Sequence, residues 1–169
     1  MTEMQAAIGR LQIRKMAEWT RQRQENARVI NDLALTLPGL RVPQVPDHVS
    51  HACYKYYVFI DQHALKSSWS RDRVMNEIVS RGVPCYTGSC SEVYLEKAFD
   101  NTNFRPEKRL PNSMRLADET LMFLVHPTLT QNEIDQTCSV LGDVLHKAVA
   151  SSKPSFKPFP AGCVEVNYS

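Results

Sequence analysis

Gly82-Val-Pro-Cys-Tyr-Thr-Gly-Ser-Cys-Ser-Glu-Val-Tyr-Leu-Glu-Lys-Ala-Phe99 changes its physical character three times in a short space. Gly82 follows an amphipathic run and suits the left-handed position that closes a helix. Val83 to Tyr86 has the length and apolarity of a short strand, and Glu92 to Phe99 reads as a short helix or turn. Between them lie glycine, hydroxyl and thiol side chains, so Gly82 to Cys90 is a donor-rich segment at a strand end, where it can line a cleft. A tight turn that only reverses the chain is the other reading of the same residues. Helix end, strand and loop in this order belong to a small sheet with helices packed on it.

Working outward, Ser70 is placed to cap a helix running to about Arg81, with Val74, Ile78 and Met75 turned inward. Cys53 to Ile60 is rich in β-branched and aromatic residues and predicts a strand. Tyr54, Tyr56, Val58 and Ile60 would share one face, and Cys53, Lys55, Tyr57 and Phe59 the other. Apolar character on both faces predicts a central strand. Residues 41 to 52, with Pro43 and Pro46, read as an extended connection, and Pro38-Gly39 ends the helix before it. That helix opens at Thr2, which forms a capping box with Gln5. Its stripe Met4, Ile8, Leu11 is out of step with the later stripe Met16, Trp19, Ala27, Ile30, Leu33, Leu37. The buried face therefore turns near residues 12 to 14, which predicts a long bent helix or two helices.

Downstream, Asn101 to Pro111 reads as a polar surface loop. Leu121 to Val125 is an apolar strand stopped by His126-Pro127. Thr130 with Glu133 makes a second capping box, opening a helix with the stripe Ile134, Cys138, Leu141, Leu145, Ala148. The expected fold is α+β, a small, mainly antiparallel sheet covered by helices and preceded by a long bent N-terminal helix. Residues 1–150 form the domain, and residues 151–169, with three prolines and little periodicity, form an extended or disordered tail.

Composition narrows the function by exclusion. Among 169 residues, 43% hydrophobic and 22% charged is ordinary globular usage, enough for one core. A formal net charge of +2 demands no anionic partner, so neither nucleic acid nor an acidic membrane is called for. The basic excess of Arg10, Arg14, Lys15, Arg21, Arg23 and Arg28 reads as a solvated helix face, because no aromatic stacking platform accompanies it. No signal peptide or apolar run long enough for a bilayer is present, and a cytoplasmic protein is expected. Five cysteines without a Cys-x-x-Cys pair read as reduced thiols. Gly-x-Gly-x-x-Gly, the P-loop pattern and His-x-x-x-His are all missing, so dinucleotide, P-loop and helical zinc sites are not indicated, and no metal is expected. Of eight lysines, Lys55 alone falls within a strand among aromatic rings. Its stem can pack on the rings with the ammonium in water, or the cation can meet a substrate or cofactor phosphate. The substrate-cleft candidates are Lys55, Tyr86, Thr87, Gly88 and Ser89.

Three segments resemble one family: Gly82 to Phe99, Leu121-Met-Phe-Leu-Val-His-Pro-Thr-Leu-Thr130, and the opening Met1-Thr-Glu-Met-Gln-Ala-Ala-Ile-Gly9. Together they are similar to the C-terminal part of the DegT/DnrJ/StrS-type sugar aminotransferases, and the resemblance covers residues 1–148. It implies the small domain of a fold type I enzyme dependent on pyridoxal phosphate, in which a large α/β domain holds the cofactor through a lysine. In such a homodimer the small domain closes over a nucleotide-linked keto-sugar, with an amino acid such as glutamate as donor. The family's segments for the cofactor lysine, the ring partners and the partner-subunit phosphate contact all precede the position of Met1. The resemblance thus assigns no catalytic or cofactor-binding residue to this chain, and implies no pyridoxal phosphate in the chain alone. Lys55 stands where many members have a histidine, and Tyr86 where many have the His-Tyr of a substrate loop. A stand-alone interaction or regulatory module of the same fold is the alternative.

Overall fold

The computed structural model describes residues 1–150, and the tail expected at 151–169, with Cys163, lies outside them. The long first helix, α1, spans Glu3–Thr36 without a break. Its capping box is formed, Thr2 Oγ1 accepting from the Gln5 amide and Gln5 Oε1 from the Thr2 amide. The two expected apolar stripes therefore ride on one helix. Glu3 to Glu18 buries no residue, and burial begins at Asn26 and Ala27. Met16 and Trp19 belong by pattern to the inward stripe, yet Met16 is 56% exposed. The domain under the helix simply does not extend that far.

Gly39 takes the chain out of α1 with φ +76, and Leu40–Arg41 follow as β1, inside the stretch read as a connection. β2 is Tyr56–Ile60, and its register pairs Leu40 with Ile60 and Arg41 with Phe59. Continued by two residues, that register would set Pro43 opposite Tyr57. Proline has no amide to donate there, which accounts for so short an edge strand. β2 starts later than its composition predicts because Cys53 has φ +47, a conformation no strand accommodates. Lys55 thus precedes the strand.

α2 (Arg71–Ser80) is capped by Ser70 and leads through Gly82, φ +81, to β3 (Cys85–Tyr86). Two single turns, Val93–Leu95 and Lys97–Phe99, stand where a short helix or turn was expected. The polar loop ends at Leu110, and Pro111 begins a helix, α3 (Pro111–Glu119), absent from the sequence reading. Proline at the first helical position removes only an amide that would lack a partner in any case. β4 (Thr120–Phe123) follows, then α4 (Gln131–Ala148) with its capping box formed. The antiparallel sheet has the order β1-β2-β4-β3, with β2 central as expected.

One face of the sheet, Tyr56, Val58, Ile60, Leu121, Phe123 and Cys85, packs with α1, α2 and α4 in a single core. Asn26 fastens α1 to the end of β4, its Nδ2 donating to the carbonyls of Val125 (3.4 Å) and His126 (3.2 Å). Tyr56 fastens β2 to the same helix through a 2.8 Å bond to Asn31 Oδ1. The opposite face, Tyr57, Phe59, Thr120, Met122 and Tyr86, is only partly covered, by α3 and the loop after β3. Among the described residues no helix is long and apolar enough to cross a membrane.

Candidate functional site

The candidate residues gather on this second face of the sheet, at its two ends. At one end, where β1 leaves β2, a cavity of ≈ 360 Å³ is bounded by Lys55, Tyr57, Phe59, Asn31 and Val45. At the other, the loop after β3 bounds a cavity of ≈ 370 Å³ with Thr87, Ser89, Cys90, Ser91, Arg71 and Lys97. A trough of ≈ 290 Å³ between them shares Tyr57 and Phe59 with the first and Ser89 with the second. Lys55 is thus not on a strand beside β3. β4 lies between β2 and β3, and the Tyr57 and Phe59 rings stand between the cation and the loop hydroxyls. Tyr86 is 48% exposed opposite Met122 and lines neither end cavity.

Gly88 performs the close approach expected of it, but toward the protein itself. It has φ +84, and a Cβ there would come within 2.7 Å of Tyr57 Cε1. The loop backbone therefore lies against the Tyr57 ring, a contact open only to glycine. Its far end is held by residues the sequence reading did not single out. Buried Glu92 accepts from Tyr94 Oη at 2.6 Å and from both Nε and Nη2 of Arg109, while the Leu110 amide donates to Tyr94 Oη at 3.0 Å. The Arg109 and Tyr94 hydrogen bonds push the Glu92 carboxyl down to about 2. Glu92 and Arg109 are 17 positions apart, one at the start of a segment read as a short helix or turn and the other in the polar loop after it, so no periodic signal points to the pair. Arg71 is the other residue missed. It donates from Nη1 to the Thr120 carbonyl at 3.0 Å, and its side chain is only 12% exposed.

Among the described residues the one thiol within hydrogen-bonding reach of a histidine, Cys53, is disfavoured as a thiolate by burial. Burial pushes Cys85 up to about 12, and it also raises Cys53, whose Sγ lies 3.3 Å from His51 Nδ1. Cys53, Cys85, Cys90 and Cys138 are free, and no group of three metal-ligating side chains exists among the described residues. His126 closes its strand, with Nδ1 at 2.8 Å from Thr128 Oγ1. On α1 the basic face is solvated and partly paired, Arg21 with Glu18 and Arg28 with Glu25 and Asp32. Pyridoxal phosphate does not fit these residues. Lys55 and Lys97 are the lysines that line the end cavities. Lys55 is half-buried at a rim with Nζ 5.7 Å from the Tyr54 ring, and Lys97 is exposed, so neither amine is enclosed for carbonyl chemistry.

Comparison with known proteins agrees with the sheet, the helices and the opening segment. Residues 1–142 match the DegT/DnrJ/EryC1/StrS aminotransferase family. The dTDP-4-dehydro-2,3,6-trideoxy-D-glucose 4-aminotransferase of Saccharopolyspora spinosa is 31% identical over 149 residues, 87% of this chain and 34% of that protein. The dTDP-4-dehydro-2,6-dideoxy-D-glucose 3-dehydratase of the same organism is 24% identical over 87% of this chain and 31% of its own length. The crystal structure of the aminotransferase from Psychrobacter cryohalolentis superposes with a TM-score of 0.81 at 48% identity, covering 87% of this chain and 39% of that one. The chain spans about a third of the length of the curated relatives it matches. On the family match and the shared fold together, the chain belongs to the DegT/DnrJ/EryC1/StrS aminotransferase family.

Proposed function

We propose that this chain is the small domain of a cytoplasmic, homodimeric, pyridoxal-phosphate-dependent aminotransferase acting on a nucleotide-linked keto-sugar. The cofactor and its lysine belong to the rest of that enzyme, a large domain that covers the exposed half of α1. The observation that carries the reading is the conjunction of family, span and surface. A chain matching about a third of the length of its relatives displays Met4, Ile8 and Leu11 to solvent on one face of α1, an apolar surface that suits burial against another domain. The open sheet face would turn toward the reacting sugar. There Thr87, Gly88 and Ser89 present the loop, Tyr86 adds an exposed hydroxyl, and Lys55 adds a cation at the opposite end.

These residues bind and orient and exclude water; no proton is moved by a group of this chain. Pyridoxal phosphate, when bound to the whole enzyme, supplies the electron sink for amino transfer. The test is the longer gene product assayed with a nucleotide-linked keto-sugar and an amino donor, beside the 169-residue chain alone. Transamination by the first, with no saturable pyridoxal phosphate binding by the second, is expected. Cofactor binding by the short chain that Lys55→Ala abolished would overturn the division of labour. Dehydration in place of amino transfer, the activity named for one relative, would overturn the reaction class. In the longer protein, Tyr86→Phe and Lys55→Ala should each lower kcat/KM for the sugar roughly tenfold, about 1.4 kcal/mol, with cofactor absorbance intact.

A further inference from the structure

We propose that the cavity between α1 and the start of β2 is the docking site of the chain's own C-terminal segment Phe156-Lys-Pro-Phe159. The inference does not depend on the preceding reading.

The cavity, ≈ 360 Å³, is walled by Ala27 and Asn31 of α1, by Pro43 and Val45 of the connection, and by the Tyr57 and Phe59 rings of β2. A dry cavity of about 150 Å³ is enough for one benzene ring, so this one has room for two. Lys55 stands at its rim, where an ammonium favours an aromatic occupant over an aliphatic one. One turn after Asn31, Leu35 is 64% exposed on the same side of α1, so the apolar surface continues from the cavity toward the end of the helix.

That end is where the chain leaves the fold. The Ala150 amide donates to the Ala64 carbonyl at 2.9 Å, and Val149 lies against Gly39, where a Cβ would come within 2.9 Å of Val149 Cγ2. Pro43 is four residues beyond Gly39, a span of at most about 14 Å. Phe156 follows Ala150 by six residues and Phe159 by nine, reaches of at most about 22 and 32 Å, so both can enter the cavity. A second exposed apolar surface, Met4, Ile8 and Leu11, begins about 38 Å up α1 from Thr36, at about 1.5 Å per residue. Neither phenylalanine extends that far.

The sequence of the segment suits the site. Prolines at 154, 158 and 160 fix φ near about −65° and favour the extended left-handed helix of about three residues per turn. In that form Phe156 and Phe159 share one face and Lys157 stands on another. Aromatic-lined grooves take such preformed segments at low entropic cost. Both phenylalanines lie beyond residues 1–142, the part matching the family, so the contact would be particular to this chain.

The test is NMR spectroscopy of the whole 169-residue chain. Nuclear Overhauser contacts from the Phe156 and Phe159 rings to the Ala27 and Val45 methyls are expected. Phe156→Ser/Phe159→Ser should remove them and shift the amides of Asn31, Val45, Lys55 and Tyr57, but not those along the front of α1. Val45→Lys, changed at an exposed wall of the cavity, should release the rings and leave the fold intact. A peptide of residues 153–161 added to the double variant should bind saturably at the same amides. With one phenylalanine replaced by serine it should bind roughly tenfold or more weakly, the effect of leaving one such side chain unburied. Cavity amides unmoved by the double substitution, or ring contacts undisturbed by Val45→Lys, would overturn the proposal. So would ring contacts to Met4, Ile8 or Leu11, which give the segment to the front of α1, or contacts found only between differently labelled chains, which make the occupant a second copy.

Discussion

From Glu3 to Glu18, α1 buries nothing, whereas from Asn26 to its end it buries Asn26, Ala27, Ile30 and Ala34 against the sheet and α4. Both halves carry apolar residues at helical spacing, and both begin from the same capped helix. Amphipathic pattern therefore tells that a face is meant to be covered, and the tertiary structure tells by what. In the second half the cover is this domain's own core. The first half has no cover among the described residues.

The largest expected difference between the halves is a matched pair of truncations. Ile30→Ala, at a fully buried position, should cost about 2–5 kcal/mol of unfolding free energy, while Ile8→Ala, 54% exposed, should stay within about 0.5 kcal/mol. Urea denaturation of the two variants measures both, and equal losses would mean that the first half is packed in solution. Next in size is Asn26→Ala, which strands the Val125 and His126 carbonyls at the seam where α1 meets β4. It should destabilise by about 1–3 kcal/mol. A smaller loss would place the anchor of the docked half in Ala27 and Ile30 alone.

The exposed half should show itself through association instead of stability. Burying Met4, Ile8 and Leu11 in a contact is worth on the order of 5 kcal/mol before the costs of association. Light scattering should find the 169-residue chain self-associating and Met4→Lys/Ile8→Lys monomeric, with the two melting alike. Monomers in both cases would show that the stripe is no contact surface for a second copy.

The smallest effects are electrostatic, and they repeat the contrast of buried and exposed. Glu92 is held at about 2, below the ordinary glutamate value of about 4.3, so its pairing stabilises the folded state above that ordinary value. That contribution fades as pH falls from about 5 toward 2. Glu92→Gln should flatten the acid limb of stability measured by denaturant titration across this window. Glu18, also lowered by its arginine partner but set on the exposed half, should leave the limb unchanged when replaced by glutamine. Equal behaviour of the two would mean that burial adds nothing to the Glu92 pair.

Much of the fold was legible because it is written locally. Both capping boxes, the Ser70 cap, the Gly82 exit and the stripe of α4 rest on neighbours within a few residues. α3 was hidden because proline marks a helix start as readily as a loop, and the seven polar or charged residues before it favoured the loop. β1 was hidden because two residues carry no period. Of the candidate site, the loop Thr87–Ser89 and its glycine were visible as composition, and Lys55 as a cation among rings. Their separation across Tyr57 and Phe59 depends on β4 entering the sheet between β2 and β3, a long-range pairing that no local pattern encodes. Arg71 and the Glu92–Arg109 pair came from the same source.

The sequence by itself determined the capped helices and the two longer strands and, through three matching stretches, the family, but neither α3 nor β1. The fold alone decided which apolar face is covered. Periodicity is a property of neighbours along the chain. Burial and convergence depend on which distant segments meet, and among the described residues they leave the front of α1 uncovered.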